Sequence, residues 1–167
     1  MDNSYNNEIL IFIAPLTSLH GQGRVSIQSL NVLKLKNTIS IVDTNSYKEK
    51  ILSKFFLGLN IYFKTTKLLL KAFKKENTIK VYFTPSRNIL SSQRDLVLLA
   101  SIFLINLFIK NKIKTFAHLH GADLAKLLAK PFYGYLLKKL YISVTNIMII
   151  NSNSLKKSAL GENFDRY

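Results

Sequence analysis

Two histidines on alternate positions stand out in the stretch "KTFAHLHGADLAK", Lys114 to Lys126. In a strand, alternate side chains share a face, so His118 and His120 point the same way and Leu119 points the other. Imidazole is the side chain best suited to proton transfer near neutral pH, and it is also a common metal ligand. A zinc pair would need a third ligand. No H-x-x-E lies nearby, and only His20 could join from a distance. His120 directly precedes Gly121 at the carboxyl end of the expected strand, which favours an imidazole exposed in a cleft and makes it the candidate catalytic residue. His118, one pleat deeper, reads as a satisfied core histidine. Asp123, in the first turn of the following helix, fits a helix-capping charge or a site residue equally well.

A second candidate lies near the N-terminus, in "TSLHGQGRVSIQSL". Gly21, Gly23 and Ser26 form a G-x-G-x-x-small pattern ahead of a helix, and Asp43 follows at the end of the next strand. Bare amides at a helix N-terminus are well placed to meet an anion, and the pattern approaches the dinucleotide fingerprint. Thr17, Ser18, Leu19 and His20 intervene, however, where the fingerprint turns at once, and its third position is Ser rather than Gly or Ala. A glycine turn that merely joins strand to helix fits the same residues.

Other chemistries lack their parts. With no cysteine, thiol catalysis, disulfides and zinc ribbons are excluded. There is no D-x-D, no G-x-S-x-G elbow and no Walker loop. The carboxylates are scattered, which disfavours a paired-carboxylate hydrolase.

Five short apolar runs suit buried strands: Glu8 to Leu16, Thr38 to Thr44, Ile79 to Ser86, Lys114 to Gly121 and Asn146 to Ser154. Helical spacing fills the gaps over Gln22 to Leu35, Lys48 to Lys75, Ser91 to Lys110, and Ala122 to Tyr141, the last broken near Pro131. Strands alternating with helices predict an α/β fold: a Rossmann-like three-layer domain on a mainly parallel sheet, with function at the carboxyl ends of the strands. At 167 residues, the chain has the length of one domain.

Its N-terminus, "MDNSYNNEIL", lacks the basic region of a signal peptide, so a cytoplasmic protein is expected. The longest apolar stretch, Leu96 to Ile109, is shorter than the roughly 18 residues a bilayer span needs, and it reads as a core helix. The net charge of +15 predicts attraction to polyanions. Lys64, Lys67, Lys71, Lys74 and Lys75 recur at three- and four-residue spacing between Leu68, Leu69, Ala72 and Phe73, an amphipathic helix with a basic stripe. Arginine is scarce, so an anionic membrane surface is a better partner than nucleic acid. An ordinary solvated face would look the same.

The "HLHGAD" strand end, the glycine loop of "APLTSLHGQGRVSIQSL" and the segment "VYFTPSRNILSSQRDLVLLA" together resemble the N-terminal domain of family 4 glycosyltransferases. The likeness runs from Ile9 to about Leu160. It implies the N-terminal half of a GT-B fold, in which two Rossmann-like domains face each other across a cleft. It also implies a retaining transfer from a nucleotide-sugar to a polysaccharide or lipid-linked acceptor, without a metal or other cofactor. By resemblance, Gly21, Gln22 and Gly23 match the loop that approaches the donor phosphates. His120 matches the histidine that reaches the transferred sugar, and Asp123 and Arg94 would line the acceptor side. The donor-binding domain of that family has no counterpart before the chain stops at Tyr167. Transition-state stabilisation needs groups on both sides of the reacting bond. The expectation is therefore a single acceptor-side domain, peripheral on the inner face of the plasma membrane and inactive without a separate donor-binding chain. The alternatives are a dinucleotide-binding (NAD or FAD) oxidoreductase domain and a non-enzymatic basic docking module.

Overall fold

Short runs of Ile, Val and Phe become five strands, and the longer periodic segments become helices between them. A computed structural model describes residues 9–17, 19, 21–34, 38–44, 51–74, 78–86, 89–109, 113–119 and 123–150. In chain order the elements are β1 (Ile9–Ala14), α1 (Gly21–Lys34), β2 (Thr38–Asp43), α2 (Ile51–Lys74), β3 (Ile79–Phe83), α3 (Ile89–Ile109), β4 (Ile113–Leu119), α4 (Asp123–Leu128), α5 (Tyr133–Val144) and β5 (Ile147–Ile150).

All four strand pairings are parallel, and the sheet order is β2-β1-β3-β4-β5. The α/β architecture expected from the alternating pattern is therefore present, as a Rossmann-like domain with the flavodoxin-like strand order. The chain steps from β1 to β2 in one direction and then crosses back over β1 to β3, β4 and β5. Because such crossovers are right-handed, that reversal places α1 on one face of the sheet and α2 to α5 on the other.

Strand alternation divides the core accordingly. Ile11, Ile13, Val81 and Phe83 face the α2–α5 layer and pack with Ile61 and Leu69 of α2 and with Leu98, Leu99 and Ile102 of α3. Leu10, Phe12, Ala14 and Tyr82 face α1 and meet Leu30. Register sets Phe12 beside Tyr82 and Tyr82 beside Phe116. The Phe12 and Tyr82 rings stack at 4.5 Å between centroids. Among the described residues, α1 is the only helix on that face.

The break expected near Pro131 is found between α4 and α5. The Tyr133 N–H donates to the Pro131 carbonyl at 2.6 Å across Phe132, which adopts a positive φ of 54°. Gly134 then lies so close to the end of α4 that a Cβ there would stand 2.4 Å from the Leu128 carbonyl oxygen. The smallest side chain thus lets α5 fold back against α4. The apolar run in α3 differs in part from the expected core helix. Leu98, Leu99 and Ile102 are buried, but Val97, Phe103, Leu104, Leu107 and Phe108 are exposed. A helix apolar on every side cannot bury them all against one sheet face.

Candidate functional site

The strand order reverses between β1 and β3, and in open α/β sheets the crevice at such a reversal, outside the carboxyl ends, is where ligands bind. Two connections wall it here: the loop from β1 into α1, and the loop from β3 into α3.

The first wall is fixed by close packing. A Cβ on Gly23 would stand 2.0 Å from the Thr17 carbonyl oxygen and 2.8 Å from its Cγ2, so only glycine lets α1 approach the loop that feeds it. A Cβ on Gly21 would meet nothing within 4 Å, so the two glycines differ: Gly23 is a steric requirement and Gly21 is not. Ser26, buried one turn on, returns its hydroxyl to the Gln22 carbonyl at 2.9 Å. The Leu16 N–H donates to Asp43 Oδ1 at 3.0 Å, tying the same loop to the end of β2. Gln22 crosses the crevice, its Nε2 donating to the Pro85 carbonyl on the opposite wall at 3.4 Å.

The second wall hangs on one carboxylate. Asp95, on the inward stripe of α3, has no exposed surface. It accepts from the Ser86 N–H at 2.6 Å and from the Ser86 hydroxyl at 3.0 Å. It also accepts from Arg94 Nε at 3.0 Å and Nη2 at 2.8 Å, and from the Tyr141 hydroxyl on α5 at 3.1 Å. Arg94, 15% exposed, adds a bond from Nη2 to the Ser86 hydroxyl at 2.7 Å. Burial pushes the Tyr141 phenol well above its ordinary pKa, and the neighbouring Asp95 charge pushes the same way. Next to this cluster the Ser92 and Tyr133 hydroxyls meet at 2.6 Å, a second polar tie between α3 and α5. The hydroxyls of Thr44 and Thr84, buried at the ends of β2 and β3, find no partner among the described residues.

His118 is buried, and its Nδ1 lies 2.5 Å from the Tyr82 hydroxyl. Burial raises the Tyr82 pKa, partly offset by a hydrogen bond with Ser29. This group borders a separate hollow of about 580 Å³ between α1 and the strands, whose walls include Val25, Val32, Leu10 and Phe116. The strand order reverses at the carboxyl-end crevice and not at this hollow.

Of the residues singled out from sequence, the structure brings Gly21, Gln22, Gly23 and Arg94 to the two walls of one crevice. Arg94 arrives already paired with Asp95. His120 lies outside the described residues, as do Ser18, His20 and Lys75, and Asp123 and Lys74 are described by backbone alone. Lys64, Lys67 and Lys71 are exposed on α2, away from the crevice. Among the described residues, no group of three or more His, Asp or Glu side chains could hold a metal. Sequence reasoning passed over Asp95, Ser86 and Tyr141. The signal was there: Ser92, Asp95, Leu98, Leu99 and Ile102 share helical spacing, which sets a carboxylate on the buried stripe. No known protein family's profile matches the chain, and no curated protein matches it.

Two outcomes follow. Gly23→Ala should cost about 1–3 kcal/mol through overpacking, whereas Gly21→Ala should lie within about 1 kcal/mol of the parent or stabilise it slightly; urea unfolding compares them. Tyr141 is held neutral in the fold while the unfolded chain ionises near pH 10. Its stability contribution is complete below that pH and is lost as pH rises toward the folded value. Unfolding free energy should therefore decline above about pH 10, and less steeply in Tyr141→Phe, as denaturant midpoints across that range would read.

Proposed function

We propose that the chain is the acceptor-side, N-terminal domain of a GT-B glycosyltransferase resembling family 4. It would act on a nucleotide-sugar donor and a glycan or lipid-linked acceptor together with a donor-binding half. The observation that carries this reading is the seat of Gly23 on the Thr17 carbonyl. That contact sets the N-terminus of α1 against the switch-point crevice, opposite the Ser86–Asp95–Arg94 wall.

In the proposed reaction the bond from the anomeric carbon to the donor phosphate oxygen breaks, the acceptor hydroxyl oxygen forms a new one with retention, and the hydroxyl proton passes to the leaving phosphate. The leaving nucleoside diphosphate takes the electron pair. Its charge would meet the amides of Gly21, Gln22 and Gly23, where the partial positive end of α1 favours an anion. A preorganised donor set of this kind stabilises developing charge without reorganising, so the reading needs no metal. Arg94 would contribute from the acceptor side, its guanidinium held in place by Asp95 and Ser86. His120 and Asp123 take their roles from the resemblance alone.

One observation weighs against the dinucleotide reading: Asp43, the acid that would bind a ribose, already accepts the Leu16 N–H.

Ligand-observed NMR with inorganic pyrophosphate and with NADH tests the choice. Weak, saturable pyrophosphate binding is expected, reduced by Arg94→Ala, with no NADH binding beyond what pyrophosphate competes away. Tight NADH binding abolished by Asp43→Ala would replace this reading with the oxidoreductase one.

A further inference from the structure

The outer face of the α2–α3 layer carries far more apolar surface than a solvated face needs. Among the described side chains of α2 the exposed ones are Phe56, Leu59, Asn60, Phe63, Lys64, Lys67, Leu70 and Lys71. At 100° per residue these fall on one stripe, with the apolar members along one flank and the lysines along the other. On α3, Val97, Leu104, Leu107 and Phe108 are exposed, Phe108 by 85%. The stretch Ser91–Phe108 is long and apolar enough to cross a bilayer by length and composition, yet 28% of it is buried in the protein. Its inward side is committed to the sheet through Asp95, Leu98, Leu99 and Ile102, so it lies along the domain and does not stand free as a span.

Both helices bury their inner stripes in the same core on the same face of the sheet, and α2 packs beside α3. Their outer stripes therefore look the same way. Both run against the strand direction, so Lys64 to Lys71 and Leu104 to Phe108 gather toward the amino edge of the sheet. Neither α2 nor α3 beyond Asp95 contains an acidic residue. An apolar face this large marks an interaction surface. Lysines flanking large apolar side chains, with no carboxylate between them, fit one occupant best: the boundary between the headgroups and acyl chains of an anionic bilayer.

We infer that α2 and α3 form a monotopic membrane face, in which Phe63, Leu70, Leu104, Leu107 and Phe108 insert while Lys64, Lys67 and Lys71 pair with anionic headgroups. This goes beyond a purely electrostatic lysine stripe, because insertion of apolar side chains resists salt. It stands independently of the sugar-transfer reading. With the helices lying flat on the bilayer, the switch-point crevice opens sideways along the membrane surface.

Vesicle co-sedimentation tests it, using phosphatidylcholine alone and phosphatidylcholine with phosphatidylglycerol. The chain should bind the phosphatidylglycerol vesicles, and a substantial fraction should stay bound when NaCl rises from about 0.1 M to about 0.5 M, where exposed charges are largely screened. Replacing Phe63, Leu107 and Phe108 together with Ser should abolish the salt-resistant fraction and weaken binding by at least about tenfold. Replacing Lys64, Lys67 and Lys71 with Gln should remove the preference for phosphatidylglycerol. All six side chains are exposed, so thermal unfolding of both variants should match the parent. No binding to either vesicle, or binding that salt abolishes and the Ser substitutions leave unchanged, would overturn the inference. So would a parent that is dimeric by light scattering and becomes monomeric in the Ser variant without vesicle binding, since a second copy would then be the occupant.

Discussion

A buried carboxylate accepting five hydrogen bonds is the contact on which the carboxyl-end crevice of this molecule depends. Asp95 is fully removed from water, and burial of a charge is tolerated only when it is paired and hydrogen-bonded. Arg94 supplies the opposite charge, and Ser86 and Tyr141 supply the remaining donors. One side chain thereby joins three elements: the loop that leaves β3, the helix α3 that follows it, and α5 from farther along the chain. Removing the carboxylate would strand the Arg94 charge and the Ser86 amide together, which is why such clusters behave as all-or-none units.

The opposite wall rests on a steric contact. Gly23 touches the Thr17 carbonyl, and Gln22 reaches across to Pro85. The two walls differ in kind: one is positioned by exclusion of a single methyl group, the other by a polar web. Both are anchored to strands β1 and β3, whose central residues have almost no exposed surface. A rigid parallel sheet thus delivers helix N-terminal amides and an oriented guanidinium to one crevice. Ligand recognition gains from such prior ordering, since little entropy remains to be lost on binding.

The fold was legible because its signals are local. Five β-branched runs, each a few residues long, alternate with segments of helical period, and that alternation alone implies a parallel sheet. Pro131 marked the α4–α5 break for the same reason, through its missing N–H. The glycine loop could be read as a close approach, but not which glycine was essential, because that depends on where the Thr17 carbonyl lies. Asp95 was passed over because its spacing with Leu98 and Ile102 sets an acid on the buried stripe without showing what pairs with it there. Its true setting comes from Tyr141, 46 positions away. On α2 the lysine stripe was visible, while the exposure of Phe56, Phe63 and Leu70 beside it required knowing which side faces the sheet.

The two surfaces divide the domain by chemistry. Polar order is concentrated at the carboxyl edge, around the crevice, and apolar surface with lysine is concentrated on the outer helices, toward the amino edge. The crevice wall at β3–α3 is built in advance, with Asp95 holding the Ser86 amide. Residue-resolved amide hydrogen exchange measures that directly. The Ser86 N–H should exchange as slowly as the amides of the central strands and open only with global unfolding. Exchange at the rate of an exposed loop amide would contradict it, and the wall would then have to be assembled by whatever binds there.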